Sequence, residues 1–131
     1  MFKAFKKFIA RPGNEEDILH MHCDPRDPQG PDLIQLSINL GIDKNVRFTK
    51  MLGYDWGVPD EKLCEIYNSF DIHTLSTTGE GFGVPTLESM GCGVPNVLPD
   101  YTTSRELLDG HGLCVPLSNT MMGTWNVDLG S

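Results

Sequence analysis

The chain has 131 residues, with 18 acidic against 10 basic side chains, a formal net charge of −8, 39% apolar and 21% charged residues. That is the size and balance of one globular domain, long enough to bury roughly two-thirds of its unfolded surface. The acidic excess argues against a nucleic-acid or anionic-membrane surface, and no apolar run approaches the roughly 18 residues of a membrane-spanning helix. A small anionic ligand stays open, because a pocket in an acidic protein can be locally positive.

The opening "MFKAFKKFIARPG" is basic and amphipathic. Its apolar run is broken by lysines and no small-residue cleavage site follows, so a surface helix of the domain is preferred over a leader peptide. Phe2, Ala4, Phe5, Phe8 and Ile9 supply the apolar positions. After a loop, "ILHMHCD" (18–24) reads as a strand and "PRDPQGPD" (25–32) as a loop. "LIQLSINLG" is a short helix stopped by Gly41. "NVRFTK" (45–50) reads as a strand and "MLGYDWGVPD" as a loop. "DEKLCEIYNSF" (60–70) has helical period, with Leu63, Ile66, Tyr67 and Phe70 on one face. "DIHTLST" (71–77) is a strand, and "PTLESMGCG" a helix with Pro85 at its first position, where a missing N–H costs nothing. "VPNVLPD", "TSRELLD" and "GLCVPL" follow as strand, helix and strand; the tail 118–131 has no clear period. Such alternation builds a parallel, Rossmann-like α/β sheet with flanking helices.

Four cysteines stand at 23, 64, 92 and 114, none in C-x-x-C, which fits reduced, buried thiols in a cytoplasmic protein. His20, His22 and Cys23 form an H-x-H-C run, but alternation puts the two histidines on one strand face, and packing is preferred over metal ligation. His73 and Thr74 are read as strand packing. Ser104 is read as the cap of its helix and Glu106 as a first-turn acid. Trp56 and Trp125 fall in loops and gain no role.

The chemistry concentrates in "GEGFGVPTLESMGCGVP" (79–95). A strand, a glycine-rich turn and a helix start form an anion site, since the first N–H groups of a helix are unpaired and its dipole favours negative charge. Gly81 and Gly83 let a ligand approach the main chain. Glu80 stands at the mouth of the strand, and Glu88 is expected in the first helical turn. Beside a phosphate two carboxylates make sense only facing hydroxyls, where each accepts from a vicinal diol. A ligand with phosphate between sugars, as in a nucleotide-sugar, has that layout. "GEGFGV" also approximates G-x-G-x-x-G, with Asp100 lying 21 residues after Gly79 as a ribose-binding acid of a dinucleotide site. Val84 and Pro85 fit that pattern poorly. No G-x-x-x-x-G-K-[ST] loop is present, which excludes a P-loop NTPase.

"EGFGVPTLESMGCGVP" closely resembles the E-x7-E signature of retaining glycosyltransferases of family 4, with the GT-B fold. The resemblance extends to "NVRFTKMLGYDWGVPDEKLCEIYNSFDIHTLST" before it and "NVLPDYTTSRELLDGHGLCVP" after it, covering roughly residues 2–117 as a partial nucleotide-sugar-binding domain. It implies a donor-binding half in which Glu80 contacts hydroxyls of the transferred sugar and acts in catalysis. Gly81 and the amides of Phe82, Gly83 and Val84 would face sugar and diphosphate, Glu88 would hold the ribose diol, and Lys50, Met51 and Leu52 would lie in the base-binding loop. The implied donor is a nucleoside-diphosphate sugar, with no metal and no other cofactor expected. "DYTTSRE" (100–106) would border the cleft.

The family also carries a strand and loop before the first helix, supplying an Arg and a Lys for the diphosphate, together with an acceptor domain and C-terminal helices. None of these is found in this sequence, so the chain is expected to be one half of a GT-B fold lacking its first strand, a fragment inactive alone. In a 3-2-1-4-5-6 sheet the absent strand is central. Strands 18–24 and 71–77 would then either pair directly or leave main-chain groups open. The alternative is a standalone nucleotide-binding or interaction module that keeps the signature as scaffold.

Overall fold

The computed structural model describes residues 1–50, 57–77 and 80–117. The expectations for Met51, Leu52, Trp56, Gly79, Trp125 and the tail 118–131 lie outside the described residues. Two compact units divide at Pro59 and Asp60.

The first unit contains α1 (Phe2–Ile9), β1 (Leu19–Met21), α2 (Leu33–Leu40), a 3-10 turn (Asp43–Asn45) and β2 (Val46–Phe48). β1 and β2 pair in parallel, Leu19 opposite Val46 and Met21 opposite Phe48. Asp32 starts α2 by accepting from the Gln35 N–H at 2.9 Å. Gly41 stops it at φ 69, and the Ile42 N–H bonds back to Ser37 O at 3.0 Å. This turn carries Ile42 into the core, where it packs with Phe2 and Val46 beneath Phe5, Ile9, Leu36 and Phe48. α1 is therefore held by its Phe2/Phe5/Ile9 stripe. Phe8, expected among the apolar positions, is exposed and stacks on Phe5 with ring centroids 6.2 Å apart.

The second unit contains α3 (Asp60–Asn68), β3 (His73–Thr74), α4 (Val84–Gly91), β4 (Asn96–Pro99), α5 (Thr103–Leu107) and β5 (Leu113–Val115). β3, β4 and β5 form a parallel sheet in that order, each joined to the next through a helix. Tyr67, Val94, Leu98 and Leu108 are its buried apolar residues. Buried Asn96 is satisfied on both sides, donating to Val94 O at 2.9 Å and meeting His73 Nδ1 at 2.6 Å. A polar group at that depth needs such partners.

The elements read from sequence are all present among the described residues, with strands shorter than the apolar runs that announce them. Asn45 belongs to a 3-10 turn and not to the strand, because Asp43–Asn45 close a tight turn before the ladder begins. His20 and His22 do share one face, and both ring nitrogens meet the Thr49 hydroxyl, at 2.9 and 3.0 Å. One hydroxyl gives one hydrogen, so at most one imidazole accepts from Thr49 and at least one donates to it. Burial, then the neighbouring His22, pushes the His20 pKa below its ordinary value.

Candidate functional site

The glycine turn is built by two local features and one contact from a distant element. Gly83 caps α4 at φ 84 and ψ 41, a left-handed conformation that glycine adopts without strain. A Cβ there would also lie 2.7 Å from the Leu107 side chain. Glu80 folds back so that its Oε1 accepts from the Gly83 N–H at 3.2 Å. Thr103, the first residue of α5, donates its hydroxyl to Glu80 O at 2.7 Å, with Gly81 O at 3.2 Å. Thr102 precedes it at φ 48, a costly value for a β-branched residue.

Val84 is the first helical residue and Pro85 the second, one position later than expected. The physical reason is unchanged, as neither of the first two helical positions has an intrahelical acceptor for an N–H, so a proline that lacks one costs nothing there. Among the described residues the amides of Phe82 and Val84 have no acceptor, whereas the Gly83 amide is engaged by Glu80. Phe82 is 64% exposed and Val84 50%. The turn thus presents open main-chain donors on an apolar rim.

Glu88 does not lie in the first turn of α4. The helix begins at Val84, which puts Glu88 in the second turn, on the face of Val84. Its partner is Tyr67 of α3, whose hydroxyl donates to Glu88 Oε2 at 3.0 Å. Burial, then this bond and the nearby negative charges, raises the Tyr67 phenol well above its ordinary pKa. Tyr67 also packs edge-on against Phe70 and His73. A shallow cleft of about 300 Å³ is lined by Asp60, Leu63, Cys64, Tyr67, Glu88, Gly91 and Cys92.

Glu80, Gly81, Phe82, Gly83 and Val84 are therefore assembled in one turn, with Glu88 one helical turn further on. Each carboxylate keeps one oxygen, Glu80 Oε2 and Glu88 Oε1, without a protein hydrogen bond among the described residues. Lys50 is an exposed turn residue of the first unit. Asp100 is not presented for a ribose. It forms a two-pronged ion pair with Arg105, both distances 2.7 Å, which holds its carboxyl below the usual value. Ser104 is not a cap either: the helix has already begun at Thr103, and Ser104 is buried inside it. Glu106 does fall in the first turn. The thiols differ from the expectation too, since Cys64 is exposed and the other three are only partly buried. Among the described residues no group of three or more His, Cys, Asp or Glu is placed to hold a metal ion.

Sequence reasoning misses Tyr67 and Thr103. Periodicity presents Tyr67 only as part of an apolar face, although a phenol on a buried face needs an acceptor. Thr103 carries no signal beyond its position near a helix start.

Parallel strands alternating with helices, and a glycine turn feeding a helix N-terminus, define a Rossmann-like α/β protein consistent with one half of a GT-B fold. The profile of the family described as "Glycosyl transferases group 1" matches residues 2–122, and the chain belongs to that family of glycosyl-transferring enzymes. It is 41% identical over 64 residues to an O-antigen chain mannosyltransferase B of Escherichia coli, covering 49% of this chain and 16% of that protein. Similarity to a D-inositol 3-phosphate glycosyltransferase of Corynebacterium efficiens is 31% over 98 residues, covering 64% of this chain and 22% of the relative. A mannosylfructose-phosphate synthase of Agrobacterium fabrum is 38% identical over 60 residues, 46% of this chain and 12% of its own length. The chain thus spans less than a quarter of each of these relatives. No solved structure matches it significantly. Among the described residues no helix is long and apolar enough to cross a membrane.

Proposed function

We propose that this chain is the donor-binding part of a retaining glycosyltransferase of family 4, which moves a sugar from a nucleoside-diphosphate sugar to an acceptor. The carrying observation is the Gly83-capped start of α4 with Glu80 on one side and Glu88 a turn beyond, each with one carboxylate oxygen left open. In this reading the amides of Phe82 and Val84 and the helix dipole face the diphosphate, where negative charge develops as the glycosidic bond breaks. Glu80, oriented by the Gly83 amide, accepts from hydroxyls of the transferred sugar in an oxocarbenium-like transition state. Glu88, oriented by Tyr67, accepts from the ribose diol. Lys50, Met51 and Leu52 are assigned to the base. No metal or cofactor has a role in this scheme.

The acceptor-binding domain, and the basic side chains that complete the diphosphate site, are assigned to parts of the enzyme outside these 131 residues. The small share of each relative that the chain spans supports that assignment. Residues 2–117 then form a partial donor domain, inactive alone, with 118–131 beyond it. Two of the relatives' names print mannose and the third no particular sugar, and the names differ in acceptor, so the scheme specifies neither. The thiols fit the reducing cytoplasm. The Glu88–Tyr67 bond also suits a second reading, a standalone nucleotide-binding or interaction module in which the signature is scaffold.

Thermal melts with millimolar UDP, GDP and ADP test the donor site. Native-state binding stabilises by RT ln(1 + [L]/Kd), about 2.7 kcal/mol at a hundredfold excess over Kd. One nucleotide is expected to raise Tm, and Glu88→Gln to remove that shift. With a separately made acceptor half, Glu80→Gln is expected to cut transfer by at least about 100-fold while keeping the nucleotide shift. Nucleotide binding with no transfer in the reconstituted pair favours a nucleotide-binding module; no shift with any nucleotide refutes the donor-binding reading and leaves an interaction module.

A further inference from the structure

Two thiols meet in the second unit. Cys64 lies on α3 and Cys92 immediately follows α4, with their sulfurs 3.9 Å apart. They come from separate elements 28 residues apart in sequence, and both line the cleft that contains Tyr67 and Glu88. A disulfide needs about 2.0 Å between sulfurs, so each must move by about 1 Å. Side-chain rotation about χ1 supplies such a movement where one thiol is exposed. We propose that Cys64 and Cys92 are a reversible oxidation site, forming a disulfide that clasps α3 to α4 beside Glu88.

The two cysteines have different surroundings, which assigns their roles. Cys64 is exposed, and the Asn68 side-chain amide donates to its sulfur at 3.2 Å. Burial, then Cys64 and Glu88, pushes the Cys92 thiol up. Cys64 therefore meets the oxidant first. With hydrogen peroxide, the Cys64 thiolate attacks one oxygen, the O–O bond breaks, and Cys64 sulfenic acid and one water result. Cys92 then loses its proton and attacks the sulfenic sulfur; the S–S bond forms and the hydroxyl leaves as a second water. Two thiols lose two electrons and two protons, and one peroxide becomes two waters. A thiol reductant reverses the step by exchange. Cys23 lies in the first unit, and the Cys114 thiol is turned to Ser104 O at 4.0 Å. The pairing does not depend on what the glycine turn binds. Its effect on the fold is to set the spacing of α3 and α4, and with it the Tyr67–Glu88 hydrogen bond.

The test is disulfide mapping of the full 131-residue chain after stoichiometric hydrogen peroxide, with remaining thiols blocked by iodoacetamide. The expected product is one peptide pair linked Cys64–Cys92, lighter by two hydrogens, with Cys23 and Cys114 alkylated. Dithiothreitol added before the iodoacetamide is expected to return all four thiols. In Cys92→Ser the link is lost, one equivalent of peroxide takes Cys64 to the sulfenic acid, and a second equivalent takes it on to sulfinic acid. The proposal is overturned if, in the unmodified chain, Cys64 and Cys92 both stay alkylatable. It is equally overturned if Cys64 overoxidises beside a free Cys92, or if the main bridge joins a different pair. The deciding measurement uses the unmodified chain, so a variant that fails to fold does not obscure it.

Discussion

Replacing Tyr67 with Phe removes one hydroxyl and keeps the ring that packs on Phe70 and His73. The hydroxyl donates to Glu88 at 3.0 Å; Tyr67 as a residue is only 7% exposed, and the bond itself is part-buried. Hydrogen bonds to charged groups contribute about 1.5–3 kcal/mol when fully buried. Glu88 is only partly buried and can turn to solvent once released, so the expected loss is lower, about 1 kcal/mol. With a urea m-value of about 2 kcal/mol/M, the unfolding midpoint followed by far-UV circular dichroism should fall by about 0.5 M. Glu88→Gln and the double variant complete a cycle that isolates the pair. The pH dependence has a definite sign. Burial and the bond to Glu88 raise the native phenol above its ordinary 10.0. Its share of stability is present in full below pH 10 and is lost as pH rises from there toward the higher native value. Tyr67→Phe should lack this share of the alkaline loss. An unchanged midpoint, with coupling to Glu88 below about 0.3 kcal/mol, would refute the assigned bond.

Gly83→Ala forces an L side chain to φ 84 and places its Cβ 2.7 Å from Leu107; calorimetry should show about 2 kcal/mol lost, and a neutral result would contradict the left-handed cap. Thr102→Gly should relieve strain at φ 48, a net gain of about 0.5 kcal/mol after the added freedom of the unfolded chain. A loss of stability in urea would argue against that backbone conformation. Asp32→Ala removes the acceptor of the Gln35 N–H and should cost about 1 kcal/mol in the same assay, whereas Asp32→Asn should recover most of it.

The resemblance to sugar-transferring enzymes rests on a contiguous stretch, so it is legible in the residues alone. The same holds for Gly41, which ends α2 in the left-handed region, and for the apolar face of α3. Boundaries are less legible. Pro85 can occupy either of the first two helical positions at no cost, so its presence does not decide whether α4 begins at Val84 or one residue later. That one residue moves Glu88 out of the first turn and into the second.

Elements, their order and the glycine turn follow from local causes: a helical period, a missing proline N–H, a glycine free to take positive φ. The sequence by itself determined these because each acts within a few residues along the chain. The partners of the site's groups come from farther away. Tyr67 reaches Glu88 across 21 residues, Thr103 reaches Glu80 across 23, and Cys64 meets Cys92 across 28. Only the packing of α3 on α4, and of α4 on α5, brings them within bonding distance. Tertiary structure therefore decided which oxygen of each carboxylate is occupied and which thiols face each other, because those outcomes depend on the spacing between elements.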